Sequence, residues 1–586
     1  MSDKSNNPFQ FWEELKRRRV IRVIPVYAAA AFVILELVDI LSDPLRLPDW
    51  TLNFVLILLC IGFIISFILS WVYDVTPEGI QKTKPSKQVA SVEVQPASTG
   101  WKITSFVSIM IIIAFVVFYI LGNKKEYSAI SELEKSIAVL PFENMSVGEE
   151  YSHLGGAFTD EIILELQKIK EFDRVLSRTS TMQYENSRPT IPEIAEKLNV
   201  NYIIEGSIQR YNENVSIRVQ VIRAEHEDHV WADEYDGKWE DIFSIQDEIA
   251  LKVANELKTV LTLEEIDQID KKPTENIEAY NLFLKGRFFW HRRTEIELEK
   301  SINYFEQAIE LDSNYALAYV GLADAYFIMP WYSSYPSKDA FNKADNFVKK
   351  ALSINNNIAE AHSTLGALAI YHERNWKLAE EELKQAIKLN PNYYVAHQSY
   401  YELLNILGRN EEAEEQINLA IKYNPNFFII LNQRANFYYY EVRYEEAIAE
   451  FKKVLEINYL LSAMEGILKC YLKQGKDKEV IGQVKAIITK NGSKNFDKLL
   501  DEIYQISGTE GIIYWYIDWL ILNKPQRLRN ISSFYAIVGD EQKAIEFLEK
   551  CLDSDQLGKL YINSNTDFNI LRKNPKFQTM LKELGL

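Results

Sequence analysis

Between residues 359 and 458 the sequence repeats itself every 34 residues, and that period limits the possible fold more than any other feature. Ala379, Ala413 and Ala447 stand 34 residues apart, as do Leu383, Ile417 and Phe451, and again Ala386, Ala420 and Val454. Pro391 is answered by Pro425. Within each unit a small residue is followed four on by a bulky one and three further on by another small one, which makes one stripe of a helix. An upstream stripe carries Leu365 and Gly366, then Tyr400 and Tyr401, then Arg434 and Ala435. Each helix pair leaves an apolar face that it cannot bury alone, so neighbouring units must stack into a solenoid with a concave surface. Such an architecture binds, and it brings no catalytic group with it.

A 34-residue period built from two such stripes resembles the tetratricopeptide repeat. In the register of that repeat, the concave face takes the second, fifth, ninth and twelfth positions of each first helix. These are Glu360, Ser363, Ala367 and Ile370, then Val395, Gln398, Glu402 and Asn405, then Ile429, Asn432, Asn436 and Tyr439. The lining is amide-rich with apolar and aromatic edges. It lacks the Lys/Arg cluster with which repeats of this kind clamp a C-terminal carboxylate. The expected partner is an extended peptide or protein surface held by amides and stacking, with Gln398, Glu402, Asn405, Asn432, Asn436 and Tyr439 as the candidate groove. Further repeats are predicted at Ala279–Asp312 and from Ala316, the latter interrupted by a loop, Met329–Lys338, that contains Trp331 and Tyr332. Phe534–Cys551 restores the stripe and Asp567–Leu586 reads as a terminal cap, so the all-α solenoid is expected over 275–586.

Three apolar runs, Val23–Leu41, Leu52–Tyr73 and Ile103–Leu121, each approach the roughly 20 residues that a helix needs to cross a bilayer. They predict a membrane region over 1–125. Lys16, Arg17, Arg18, Arg19 and Arg22 precede the first run, and Lys82, Lys84, Lys87 and Lys102 separate the second from the third. By the positive-inside rule the N-terminus is then cytoplasmic and residues 125–586 lie outside the cytoplasm, in the periplasm of a bacterial inner-membrane protein. The aromatic segment Pro8–Trp12 reads as an interfacial anchor, and the loop from Gly79 to Gly100 as a flexible connector. Charge is unevenly placed. Residues 1–125 hold 13 Lys/Arg against 10 Asp/Glu, and the rest 52 against 73, an acidic balance that argues against binding a phosphate backbone.

Between these regions, Ser136–Phe142 reads as a buried strand, Thr159–Ile169 as a helix, Arg174–Arg178 as a short strand and Ile191–Leu198 as a short helix. Tyr202–Gln209, Val215–Ile222 and His229–Tyr235 alternate as strands, and the amphipathic helix Asp241–Leu261 closes the unit. This order predicts a mixed sheet with helices on one face, over 136–261. Ser136–Asn144, Leu154–Glu161, Ile194–Ser207 and Asp241–Ala250 resemble the bacterial domain at the amino terminus of TolB and in FlgO. That resemblance implies an extracytoplasmic module often placed ahead of tetratricopeptide repeats, as in some membrane-bound adenylate cyclases and winged-helix regulators. It transfers no catalytic residue, and no effector domain like those of the cyclases and regulators is recognised here.

Candidate chemistry is sparse. Gly155-Gly156 precedes a helix without either glycine-rich phosphate-binding pattern, so a glycine turn is expected. His226 and His229 bracket an acidic pair but fall where a turn enters a strand, pointing apart. Cys60, Cys470 and Cys551 have no metal or redox spacing and read as buried small residues. No catalytic residue, cofactor or metal is expected. The function anticipated is a non-enzymatic membrane-anchored scaffold; the alternatives are a transmembrane sensor signalling to a cytoplasmic partner and, least favoured, an enzyme using the α/β domain. Self-association is also open.

Overall fold

The computed structural model describes residues 20–42, 55–56, 58–59, 62–63, 73–76 and 79–82, and residues 134–586 apart from 186–188, 493–495 and 555–556. The chain divides into two units, Met1–Tyr127 and Ser128–Leu586.

In the first unit a helix, Val20–Ser42, is followed by an antiparallel pair, β1 (Tyr73–Thr76) and β2 (Gly79–Lys82). Tyr27 donates a hydrogen bond to the Leu59 carbonyl at 2.7 Å. Among the described residues no helix is long and apolar enough to cross a membrane. The expectation of three transmembrane helices is therefore overturned, and with it the multi-pass inner-membrane placement and the periplasmic location of residues 125–586. Helix Val20–Ser42 carries Arg22, Glu36 and Asp39, ionisable groups that hydrocarbon disfavours. The second run ends in β1 rather than in a helix, and the expected connector begins as strand β2. The third run, 103–121, and the anchor at 8–12 lie outside the described residues.

The second unit opens with a mixed sheet. β3 (Ser136–Val139) runs parallel to β5 (Arg174–Val175) on one side and to β6 (Tyr202–Tyr211) on the other. β4 (Glu143–Asn144) also pairs with β6. From β6 the chain turns back through β7 (Asn214–Arg223) and β8 (Asp228–Lys238) as an antiparallel meander. The β6–β7 turn is made by Asn212, whose φ of 53° suits an asparagine.

Alternation along the strands sends side chains to both faces. Ile137, Val139, Ile204 and Ile208 join helices Leu154–Gln167 and Ile242–Glu256 in one core, whereas Ala138, Leu140 and Ile203 pack with Ile194, Ala195 and Leu198 in another. Helices thus cover both faces, not one. The helix on the second face, Ile191–Leu198, is fixed at both ends. Thr190 and Glu193 form a reciprocal capping box, and Asn199 stops the helix in the left-handed region at φ 52°.

The remainder is a run of helical hairpins. The pairs are Ile277–Trp290 with Glu295–Leu311, Ala316–Tyr332 with Ser337–Ile354, Ala359–Leu368 with Trp376–Leu389, Tyr394–Ile406 with Asn410–Tyr423, and Phe428–Tyr440 with Tyr444–Ile457. Leu461–Lys473 with Asp477–Lys490 follows, then Asp497–Asn523, broken at Gly508, then Leu528–Ile537 with Glu541–Asp553. Each predicted stripe is sealed: Ala379, Leu383, Ala386, Ala413, Ile417, Ala420, Ala447, Phe451 and Val454 are all fully buried. One expectation fails in this region. Met329–Tyr332 is not loop but the last turn of helix Ala316–Tyr332, which runs through Pro330 before the chain turns.

The α/β domain and the solenoid share a hydrophobic core that extends from Ile137 to Leu368. They meet a second time through polar groups. Asn390 donates to Gln167 and Asn392 accepts from the Val175 amide, both at 3.4 Å. One period later, Asn424 accepts from the Ser180 hydroxyl at 2.7 Å and donates to Thr179 at 2.6 Å, and Asn426 donates to the Ser180 carbonyl at 3.4 Å.

The C-terminal segment returns to the third hairpin. Arg374 donates to the Glu583 carbonyl and the Trp376 indole to the Gly585 carbonyl, each at 2.9 Å. Asn563 donates to the Ile406 carbonyl at 3.2 Å.

Candidate functional site

The inner face of the hairpins encloses a cavity of about 400 Å³. Its floor comes from the first helices of successive hairpins, because one face of each points inward while the opposite face packs on its partner helix. Gln398, Glu402, Asn405, Asn432 and Asn436 line it, as do Ser363, Ala367, Val395 and Ile429. Tyr439 does not. It is 2% exposed and donates to Asp567 at 2.5 Å, and its neighbour Tyr440 reaches the cavity instead. Ile370 is fully buried, and Glu360 does not contribute to the lining.

The walls hold residues that the 34-residue register could not place. Trp331 and Tyr332 contribute from the helix read as a loop, Trp290 and Arg293 from the first hairpin, and Arg529, Leu557 and Tyr561 from the C-terminal part. Trp331 stands out in the sequence as part of an aromatic insertion. Arg293 and Arg529 carried no signal, since both fall outside the three regular units.

The charged lining residues are Arg293, Asp324, Glu402 and Arg529. Glu402 is held by the wall: Tyr371 donates to one of its oxygens at 2.9 Å and Gln433 to the other at 2.5 Å. Tyr561 in turn lies 2.6 Å from the Tyr371 hydroxyl, so the C-terminal segment completes the chain of bonds. Burial pushes the Glu402 carboxyl above the usual range, and the hydrogen bonds from Tyr371 and Gln433 only partly oppose it. Asp324 accepts from Thr364 at 2.5 Å and lies 4.0 Å from Arg287, and burial pushes it up to about 6. The guanidinium of Arg293 covers the Trp290 ring at 4.0 Å, and that of Arg529 lies 5.8 Å from the Tyr561 ring centre.

Several buried polar atoms in this lining have no hydrogen-bond partner: Ser363 Oγ, Trp290 Nε1, Asn432 Oδ1 and Gln433 Oε1. Elsewhere, Gly155 and Gly156 begin helix Leu154–Gln167, where a Cβ on Gly155 would come within 2.4 Å of the Phe142 carbonyl. Close packing of strand on helix requires that glycine. His226 and His229 are exposed, and among the described residues no three His, Cys, Asp or Glu side chains are grouped to hold a metal ion. Cys470 and Cys551 are buried.

Residues 133–252 match the family described as the second domain of HilA/YgeH-like transcriptional regulators, and residues 530–564 match a tetratricopeptide repeat. The match over the sheet carries that description, and it does not show the resemblance to the TolB amino-terminal and FlgO domain. A curated relative, putative adenylate cyclase 3 of Rhizobium meliloti (strain 1021), is 31% identical over 248 residues, which is 42% of this chain and 42% of that protein's length. Among solved structures, PilF of Pseudomonas aeruginosa is 16% identical with a TM-score of 0.31, over 38% of this chain and 97% of its own. PilW, a widely conserved type IV pilus biogenesis factor, is 14% identical with a TM-score of 0.32, over 38% and 99%. The chain therefore carries tetratricopeptide repeats, preceded by a small mixed-sheet domain similar to the second domain of HilA/YgeH-like regulators.

Proposed function

We propose that this protein is a non-enzymatic scaffold whose repeats hold an extended segment of a partner protein in the inner cavity. The observation that carries the reading is the set of unpartnered polar atoms on Ser363, Trp290, Asn432 and Gln433, set among aromatic walls. A buried donor or acceptor left unpaired costs about 1–3 kcal/mol, which these side chains would recover by turning toward a polypeptide backbone in the cavity. Gln398, Glu402, Asn405, Asn432 and Asn436 supply the floor of the groove; Tyr439 serves the fold instead. The test is a crosslinked pull-down with the full chain, comparing wild type with Asn432→Ala/Asn436→Ala. Loss of specific partners from the variant supports the groove, and an unchanged partner set overturns it. Turnover by the purified chain would overturn the non-enzymatic part of the reading.

A second reading is a regulator in which the α/β domain registers occupancy of the groove. The contact of Asn424 with Thr179 and Ser180 favours it, because Asn424 follows the second helix of the hairpin that supplies Gln398 and Glu402. On that reading a captured partner changes hydrogen exchange at residues 177–181, which a passive scaffold leaves alone.

A further inference from the structure

The repeat region belongs to an acidic stretch, 52 Lys/Arg against 73 Asp/Glu beyond residue 125, yet the free charges of its cavity are positive. Asp324 and Glu402 are 7% and 8% exposed, and their oxygens are engaged by Thr364, Tyr371 and Gln433. Arg293 and Arg529 are different. Both are half-buried, both line the cavity, and neither reaches a carboxylate within 4.0 Å among the described residues. Asp324 is close enough to feel the charge of Arg293 but makes no ion pair with it. An arginine stays protonated in any protein setting, so a guanidinium on a partly dry wall without a direct carboxylate partner is incompletely compensated. Two of them facing one cavity complement an anion.

The unpartnered atoms narrow the chemistry. Ser363 Oγ and Trp290 Nε1 are donors, whereas Asn432 Oδ1 and Gln433 Oε1 are acceptors. An extended peptide presents both a carbonyl and an amide at each residue, so its main chain satisfies both kinds. A nucleic-acid backbone offers phosphate acceptors to the arginines and few donors to the two amide oxygens, and the negative exterior repels it. We propose that the segment held in the groove is acidic, with Arg293 and Arg529 receiving its carboxylates from opposite regions of the repeat chain. This rests on the groove reading above and deepens it.

The experiment is a selection of random dodecapeptides displayed on phage against the full chain. Wild type is expected to enrich Asp and Glu over the unselected pool, Arg293→Gln/Arg529→Gln to lose that enrichment, and Arg293→Lys/Arg529→Lys to keep it. Each single Gln substitution is expected to weaken a selected peptide about tenfold, as for a lost charge-assisted hydrogen bond. Equal thermal unfolding of the variants separates binding from folding. A pool with no acidic enrichment whose capture still depends on Asn432 and Asn436 overturns the proposal and leaves the groove reading standing. Selection indifferent to both residue sets sinks the groove reading itself. Labelled decauridylate bound through the same arginines, in place of peptides, overturns the proposal in favour of nucleic acid.

Discussion

Where the α/β domain meets the first hairpin, rings interlock: Tyr280 is fully buried with its ring 4.4 Å from Phe243, and its hydroxyl accepts from Gln246 at 2.9 Å. Where the same domain meets the turns after the third and fourth hairpins, the contact is a ladder of asparagines, Asn390, Asn392, Asn424 and Asn426. An apolar seam gains from area removed from water and tolerates sliding. Amide bonds contribute little net energy each but hold one register, because a slip leaves buried partners unpaired. The first seam therefore holds the domains together, and the second sets their alignment.

The largest effect should come from breaking the apolar seam. Tyr280→Ala removes a fully buried ring and is expected to cost about 3–5 kcal/mol in urea unfolding. A loss under one kcal/mol would mean that the two modules are not joined through this core.

Next is Glu161, on the helix that faces the same seam, whose carboxyl burial, reinforced by Glu165, pushes from 4.5 up to about 8. As pH rises above 4.5 the unfolded chain releases this proton while the folded chain keeps it until about 8, so stability falls across that window. Glu161→Gln removes the slope. The variant should be more stable than wild type at pH 8, with the gap closing towards pH 4.5, as read from urea midpoints at each pH. A gap independent of pH would place the side chain in water rather than at the seam.

Asn424→Ala sharpens the other half of the comparison. It strips partners from Ser180 and Thr179, with an expected cost of about 1–3 kcal/mol confined to local opening. Hydrogen exchange should quicken at residues 177–181 while the global unfolding midpoint moves little. Smallest of all is Arg443→Ala. It removes a half-buried bridge to Glu414 and an exposed one to Glu446, which repeat those of Arg409 with Glu380 and Glu412 one hairpin earlier, and should cost about 0.2–1 kcal/mol. That loss should shrink in high salt.

How far the sequence could be read depended on whether a residue sat in the period. Ala379, Leu383 and Ala386 could be assigned to the core because the same choice recurs twice more in register. Asn390 and Asn424 were also in register, but asparagine at a helix end reads as a turn former, and its use as a docking group needs the facing strand. Helix Ile191–Leu198 is legible in the sequence but its side of the sheet is not, because Ile203 and Ile204 are adjacent apolar residues that pack into cores on opposite faces. Tyr439 sits at an inward-facing position and is covered because the chain returns 128 residues later with Asp567. Arg293 and Arg529 stand where the period has loosened, and only the closed-up fold brings them to one cavity.

The return of the C-terminal segment alters how the repeats behave as a material. A solenoid whose units touch only their neighbours is a one-dimensional chain of springs that frays from its ends. Here, bonds from Arg374 and Trp376 to residues 583 and 585 span a sequence separation of 209. The spring is latched into a loop, so stretching any hairpin between these points strains the latch as well. Such a loop has no free end at its last repeat. It should yield to pulling or to denaturant in one late, concerted step, and it should refold slowly, because its closure must find partners two hundred residues away.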